Sequence, residues 1–371
     1  VNLEELRQQI DAVDAELLRL FEQRMRIARE IARYKEEHGL PVLDAGREQT
    51  MLLERVARLE DRTLAGSAEG FFRTLINLSR DEQRRTQGPA PRAAVVPAGG
   101  GAAYQGVSGA YGEEALIAYF GENENRMPLD SFEDVIQAVL DGRARHGVLP
   151  IENSTTGAVI EVHELLARHC CHITGEVILR IEHCLLGVPG ANVGDIKKVY
   201  SHTQGLQQCA RFLDAHPDWE RIPYYNTAVS ARLVAERKDR TLAAIAGRHA
   251  AERYGLSILC PDIHDSGRNH TRFIVIAARP HTGPSDKVSI LLRLKNTHGT
   301  LYAALKPLAE AGINLLRLEA RPSPDTNWEY LFFIDFQGTG DDPRIEKVLS
   351  VLEKQSESCR VLGRYLSAGG A

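Results

Sequence analysis

Long apolar runs are missing from this 371-residue chain; no stretch is long enough to span a bilayer. The opening residues, VNLEELRQQIDAVDAELLRL, are charged and periodic. They lack the basic start, apolar run and small-residue cleavage site of a secretory signal. Cysteine is sparse: six residues, no Cys-x-x-Cys pair, and Cys170 directly beside Cys171. That usage suits reduced thiols in the cytoplasm better than a disulfide framework. No large basic block accompanies the net charge of -5, which argues against nucleic acid as a partner. No membrane association is expected either. In such a compartment the two glycosylation-like triplets, Asn153-Ser154-Thr155 and Asn269-His270-Thr271, need another explanation.

Proline and glycine punctuate the chain into segments. Residues 1–88 are nearly free of proline and helical in period; a Pro-, Gly- and Ala-rich linker follows at 89–102. From 103 to 280 short apolar runs alternate with amphipathic stretches, the pattern of α/β architecture. A second linker at 281–286 leads to residues 287–371, whose order βαββαβ predicts a ferredoxin-like sandwich. The fold expected is therefore multidomain: all-α, then α/β, then α+β.

In the helical segment Leu3, Leu6, Ile10, Val13, Leu17, Leu20, Ile27, Ile31 and Tyr34 recur at steps of three and four, broken by Arg24. A helix from Leu3 to Glu37 would run roughly 50 Å, which outgrows a small domain and predicts a partner chain. Arg24 then points inward, with Lys35 on its face eleven residues on. Ser79 and Gln83 continue an apolar stripe begun by Phe72, Leu75 and Ile76, and Asp44 caps a turn carrying Arg47 and Glu48. Each residue alone has a plain reading, an ion pair or a half-exposed position; together they point to a site for a small polyanion.

These residues carry a resemblance to the all-helical chorismate mutase family, matched by Arg7, Arg24, Lys35, Asp44, Arg47, Glu48, Ser79 and Gln83. The implied reaction converts chorismate to prephenate. It is pericyclic, so the site must hold a compact dicarboxylate and stabilise charge on the ether oxygen. In the family the residues matching Lys35 and Gln83 donate to that oxygen, and the arginine matching Arg7 comes from the partner chain.

The middle segment gathers polar residues at three strand–helix junctions: PIENSTTGAV, SHTQGLQQC and DSGRNHTRF. Donors at strand ends of an α/β segment are where ligands usually bind, although ordinary helix caps look the same. The loop AYQGVSGAYG is neither a dinucleotide fingerprint nor a P-loop; Gly106, Gly109 and Gly112 before a helix suit a carboxylate site, although an ordinary turn explains them more simply. HELLARHCCHI sets His163 and His169 on different helix faces, and no metal or cofactor is expected. The three motifs resemble prephenate dehydratase, a family of two α/β lobes around a cleft. The resemblance implies loss of carbon dioxide and hydroxide from prephenate to give phenylpyruvate. It implies Thr271 as the donor to the departing hydroxyl and Arg272 as a grip on a substrate carboxylate. Asn153, Ser154, Thr155, Ser201, Gln204 and Gln208 are expected to line the site.

The last segment resembles an ACT domain, which binds amino acids at paired domain interfaces. Gly299-Thr300-Leu301 and Glu319-Ala320-Arg321-Pro322 occupy its phenylalanine-sensing signature, with Thr300 and Ala320 departing from the usual residues. The whole implies a homodimeric or homotetrameric bifunctional enzyme of phenylalanine biosynthesis, inhibited by phenylalanine. The alternatives are an arogenate dehydratase or a non-catalytic amino-acid sensor.

Overall fold

The computed structural model describes residues 2–38, 100–323, 329–339 and 342–369, with scattered residues and short runs between 55 and 82. The chain divides into two compact units, Val1–Val95 and Val96–Ala371.

The first unit is built on helix α1, Leu3–Glu37. Asn2 starts it: its side chain accepts from the Glu5 amide while the Glu5 carboxylate accepts from the Asn2 amide, a reciprocal cap. Met25, Ala28 and Ala32 form the buried side of α1, with Ile76 and Ser79 buried on the later helical residues. The apolar stripe is elsewhere. Leu6, Ile10, Val13, Leu17, Leu20, Ile27, Ile31 and Tyr34 are each at least 40 % exposed within this chain.

The second unit opens with a six-stranded sheet. Strands β1 (Ala102–Gln105), β2 (Arg126–Leu129) and β3 (His146–Asn153) run parallel, joined by α2 (Tyr111–Phe120) and α3 (Phe132–Leu140). β4 (Gly157–Ala158), α4 (Ile160–Arg168) and β5 (His172–Arg180) complete the lobe. The chain then crosses to a five-stranded sheet. This lobe holds β6 (Cys184–Gly187), β7 (Lys198–Ser201), α5 (Thr203–Gln208), α6 (Ala210–Asp214), β8 (Glu220–Pro223), α7 (Thr227–Arg237), β9 (Leu242–Ala246), α8 (Arg248–Tyr254) and β10 (Ser257–Cys260). It returns as β11 (His270–Ala277), inserted antiparallel between β3 and β5. The two crossings are bonded to each other: Ile181 donates to the Asn269 carbonyl and Ile263 to that of His183.

The four-stranded C-terminal sheet holds β12 (Lys287–Leu294), α9 (Thr300–Glu310), β13 (Leu315–Pro322), β14 (Tyr330–Gln337), α10 (Pro343–Gln355) and β15 (Ser358–Tyr365), in the order β13-β14-β12-β15. The βαββαβ reading of the sequence is what the backbone adopts. One face of this sheet packs on α9 and α10. The other joins the first lobe: Leu291, Leu331, Phe333, Leu362 and Tyr365 share one core with Leu149, Ile274 and Ile276. Close approach of β15 to β5 requires glycine, because a Cβ on Gly363 would lie 2.0 Å from the Ile173 carbonyl oxygen.

Candidate functional site

Strand alternation decides which residues meet in the dehydratase-like unit. Thr271 and Phe273 face the space between the two lobes, while Ile274 and Ile276 face the C-terminal sheet. β3 matches this phase only through an irregularity: Thr271 pairs with Asn153 and Arg272 with Glu152, but Phe273 pairs with Pro150. The skipped residue is Ile151, beside a proline that has no amide to donate. The bulge brings Asn153 onto the same side as Thr271.

A cleft of about 460 Å³ lies there. Of the expected site residues, Asn153, Gln204, Gln208 and Thr271 line it, together with Thr156 and His202. Asn153 is the hub. Its Oδ1 accepts from the backbone amides of Thr155 and Thr156, both at 3.0 Å, and amides can only donate. Its Nδ2 therefore faces Thr271 Oγ1 at 2.9 Å and Asn269 Oδ1 at 2.7 Å, donating to both. Thr271 receives a hydrogen bond, so its own proton is left for something else.

Three expected residues serve the site from behind. Ser154 Oγ ties the Arg268 carbonyl and the His270 amide. Thr155 donates to Asn153. Ser201, fully buried, donates to the Ile245 carbonyl at 2.7 Å beneath Gly205, where a Cβ would crowd its Oγ at 2.7 Å.

Arg272 departs from expectation. It sits opposite Thr271 in phase, away from the cleft, and its guanidinium meets Glu176 at 3.1 Å, Asp335 at 2.9 Å and Glu152 at 3.2 Å. Burial alone would lower its pKa, but these carboxylates outweigh burial and hold it above the ordinary arginine value. A guanidinium so occupied and so directed is not placed to grip a ligand in the cleft.

Other lining residues were not singled out from the sequence. His183 Nε2 meets Gln208 Oε1 at 2.8 Å, and its Nδ1 lies 3.0 Å from the Tyr111 hydroxyl. Burial lowers the His183 pKa and raises that of Tyr111, so both stay neutral. Tyr111 and Gly112 begin α2, and Asn226 and Thr227 begin α7; both helix N-termini open on the cleft. Among the described lining residues none is Lys, Arg, Asp or Glu. What the lining offers an anion is therefore neutral donors and the amide dipoles of these two helix ends. The glycine loop marked the start of α2 only weakly in the sequence, and an ordinary N-cap signature at Asn226 and a lone histidine gave no hint of the rest.

In the first unit, Arg24 Nη1 donates to the Leu75 carbonyl at 2.6 Å and meets Ser79 Oγ, so these two expected residues do converge. Lys35 is half-buried on α1. Arg7 is exposed, 3.7 Å from Glu4. It lies seventeen residues from Arg24, roughly 25 Å along the helix. Asp44, Arg47, Glu48 and Gln83 lie outside the described residues. The described residues that line a separate groove of about 480 Å³ beside Met25 and Arg29 include none of the expected ones.

In the C-terminal domain Gly299 takes the left-handed conformation before α9, and Thr300 Oγ1 donates to the Thr297 carbonyl. Glu319 pairs with Arg321 at 2.7 Å. Leu301 packs against the domain core; Ala320 and Pro322 are exposed on β13. His163, considered for metal binding, is buried with Nδ1 on the Val159 carbonyl and Nε2 accepting from Arg317. All six cysteines are free thiols. Among the described residues no helix is long and apolar enough to cross a membrane.

Comparison with known proteins agrees in order and extent. Residues 6–84 match the model of chorismate mutase type II, 102–281 that of prephenate dehydratase and 288–354 that of the ACT domain. A bifunctional chorismate mutase/prephenate dehydratase of Aquifex aeolicus is 33 % identical over 99 % of this chain and 98 % of its own. Among solved structures, a protein described as a novel type of quorum quenching acylase is 34 % identical, covering 72 % of this chain and 98 % of its own with a TM-score of 0.66. A prephenate dehydratase from Arthrobacter aurescens in complex with L-Phe is 31 % identical, covering 71 % and 89 %, with the same TM-score. With its mutase, dehydratase and ACT segments in that sequence along one polypeptide, the chain belongs to the family of bifunctional chorismate mutase/prephenate dehydratases.

Proposed function

We propose that Thr271 is the acid of the dehydratase site and that Asn153 directs its proton. The observation that carries this is the fixed polarity of the Asn153–Thr271 bond. In prephenate the ring carboxylate leaves as carbon dioxide, its bonding electrons enter the ring, and the opposite C–O bond breaks. The hydroxide takes the Thr271 proton and departs as water; solvent returns a proton to Thr271. Donation from Asn153 stabilises the threonine oxygen as its proton leaves. The two carboxylates of the substrate are received by neutral donors and by the N-termini of α2 and α7. Gln204 and Gln208 contact substrate; Ser154, Thr155 and Ser201 organise the residues that do.

In the mutase site Arg24 and Lys35 hold the chorismate carboxylates and ether oxygen, with Asp44, Arg47, Glu48, Ser79 and Gln83 completing the set. The distance from Arg7 to Arg24 along α1, and the exposed apolar stripe, support a homodimer in which Arg7 serves the partner's site. β13 is an edge strand with Leu316 and Leu318 exposed, a surface suited to a second C-terminal domain. Phenylalanine binds there, between Gly299–Leu301 and Glu319–Pro322. The free thiols support a cytoplasmic setting.

A chorismate assay that follows prephenate and phenylpyruvate together tests both activities. Arogenate supplied in parallel separates the alternative dehydratase, and turnover of neither compound would leave only a sensor.

A further inference from the structure

Arg272 leaves the cleft, and what it joins instead ties the catalytic strand to the C-terminal domain. Three cations and three anions form one network. Arg272 meets Glu176, Asp335 and Glu152; Lys287 meets Glu176 at 2.6 Å; Arg317 meets Glu152 at 3.1 Å. Asp335, Lys287 and Arg317 belong to the C-terminal sheet. Asp335 is held on its other oxygen by Ser289 at 2.6 Å. Arg317 is held on its other side by His163, at 3.1 and 3.2 Å.

Glu152 is the pivot. Its Oε2 takes both Arg272 and Arg317, and its chain neighbour is Asn153, which donates to Thr271. Arg272 is in turn the neighbour of Thr271. Both strand ends that carry the catalytic pair are thus clamped from behind by charges, three of which the C-terminal domain supplies. The chain of charges continues outward on β13: Arg317 lies 3.8 Å from Glu319, which pairs with Arg321 at 2.7 Å. Those are residues of the amino-acid-sensing signature.

We propose that Arg317 and Asp335 are positioning residues for dehydration, and that the Arg317–Glu152 pair links the sensing strand to the Asn153–Thr271 hydrogen bond. This rests on the dehydratase reading given above. Glu152 and Arg272 touch no substrate; they set the angle at which Asn153 and Thr271 meet it. A ligand that draws Glu319 or Arg321 toward itself shifts Arg317, and with it one end of β3. The coupling needs no movement of the lobes as rigid bodies, only a change in which carboxylate Arg317 favours.

A double-mutant cycle on the full chain tests the link: Arg317→Gln, Glu152→Gln and the pair, assayed with supplied prephenate. The expected result is a fall in kcat of about tenfold to a hundredfold in each single variant, KM within about twofold, and no further loss in the double. Phenylalanine should still bind the Arg317→Gln protein by calorimetry but inhibit it weakly. Wild-type kcat in Arg317→Gln, or losses that multiply in the double variant, would overturn the proposal. Where Arg317→Gln does not fold, Arg317→Lys keeps the charge but not the fork that spans Glu152 and His163, and the same outcomes apply. Turnover absent from the wild-type chain itself would instead strike the dehydratase reading, and this inference with it.

Discussion

Asn153 Nδ2 donates to Thr271 across 2.9 Å, and two backbone amides donating to Asn153 Oδ1 prevent the side-chain amide from turning over. Asn153→Asp keeps the acceptor that those amides need and replaces the donor by a second acceptor. The variant should fold near wild type yet lose about 10²–10⁴ in dehydratase kcat, because the Thr271 proton is drawn to the new carboxylate. Thr271→Ala should lose as much, and Thr271→Ser should recover most of it. Steady-state kinetics with prephenate read all three. Full activity in Asn153→Asp would remove Asn153 from the mechanism.

The mutase should complement across chains. Arg7→Ala and Lys35→Ala are each expected to abolish prephenate formation while leaving dehydration of supplied prephenate intact. Mixed and allowed to exchange subunits, they should regain activity, since one hybrid site then holds both residues. Proven exchange without recovery would show that Arg7 serves its own chain or none.

Gly363 allows β15 to lie against β5, and Gly363→Ala puts a methyl carbon 2.0 Å from the Ile173 oxygen. The strands must part, at a cost of about 1–3 kcal/mol. Thermal melting of the full chain should show the loss. An unchanged melting temperature would mean the two sheets are not held in this contact.

The sequence made some of this plain and concealed the rest for identifiable reasons. β11 was legible as a strand because Phe273–Ile276 is a continuous apolar run. The same continuity hid its phase: apolar residues on both faces give no alternation from which to learn that Thr271 and Arg272 part company. The bulge at Ile151 hid the phase of β3 in the same way. The long α1 and its apolar stripe were readable, as was the excess of that stripe over what a small domain buries. Tyr111, His183 and Asn226 were not, since a tyrosine after a glycine loop, a single histidine and a helix cap occur in most α/β proteins without reference to a ligand.

Stability should also report on His163. Burial pushes its pKa down to about 4 from the ordinary 6.5, with the neighbouring arginines acting in the same direction. Above the ordinary value the ring is neutral folded or unfolded. Between about 6.5 and 4 the unfolded chain takes a proton that the folded chain refuses, so stability falls as pH falls through that window, by up to roughly 3 kcal/mol. His163→Gln should flatten this part of a melting-temperature profile. An unaltered slope would assign the acid sensitivity to other groups.

The charge network behind the catalytic strand is uneven in its exposure to solvent. All three carboxylates line a cavity of about 670 Å³, but the Glu176 and Asp335 side chains are buried, whereas that of Glu152 is 39 % exposed. Mobile ions screen charges they can approach and leave enclosed ones alone. Added salt should therefore slacken the grip of Arg317 on Glu152 while the inner pairs keep the two sheets docked. Ionic strength then becomes a dial on how strongly the enzyme attends to its amino-acid signal, turned without dissolving the architecture that carries the signal.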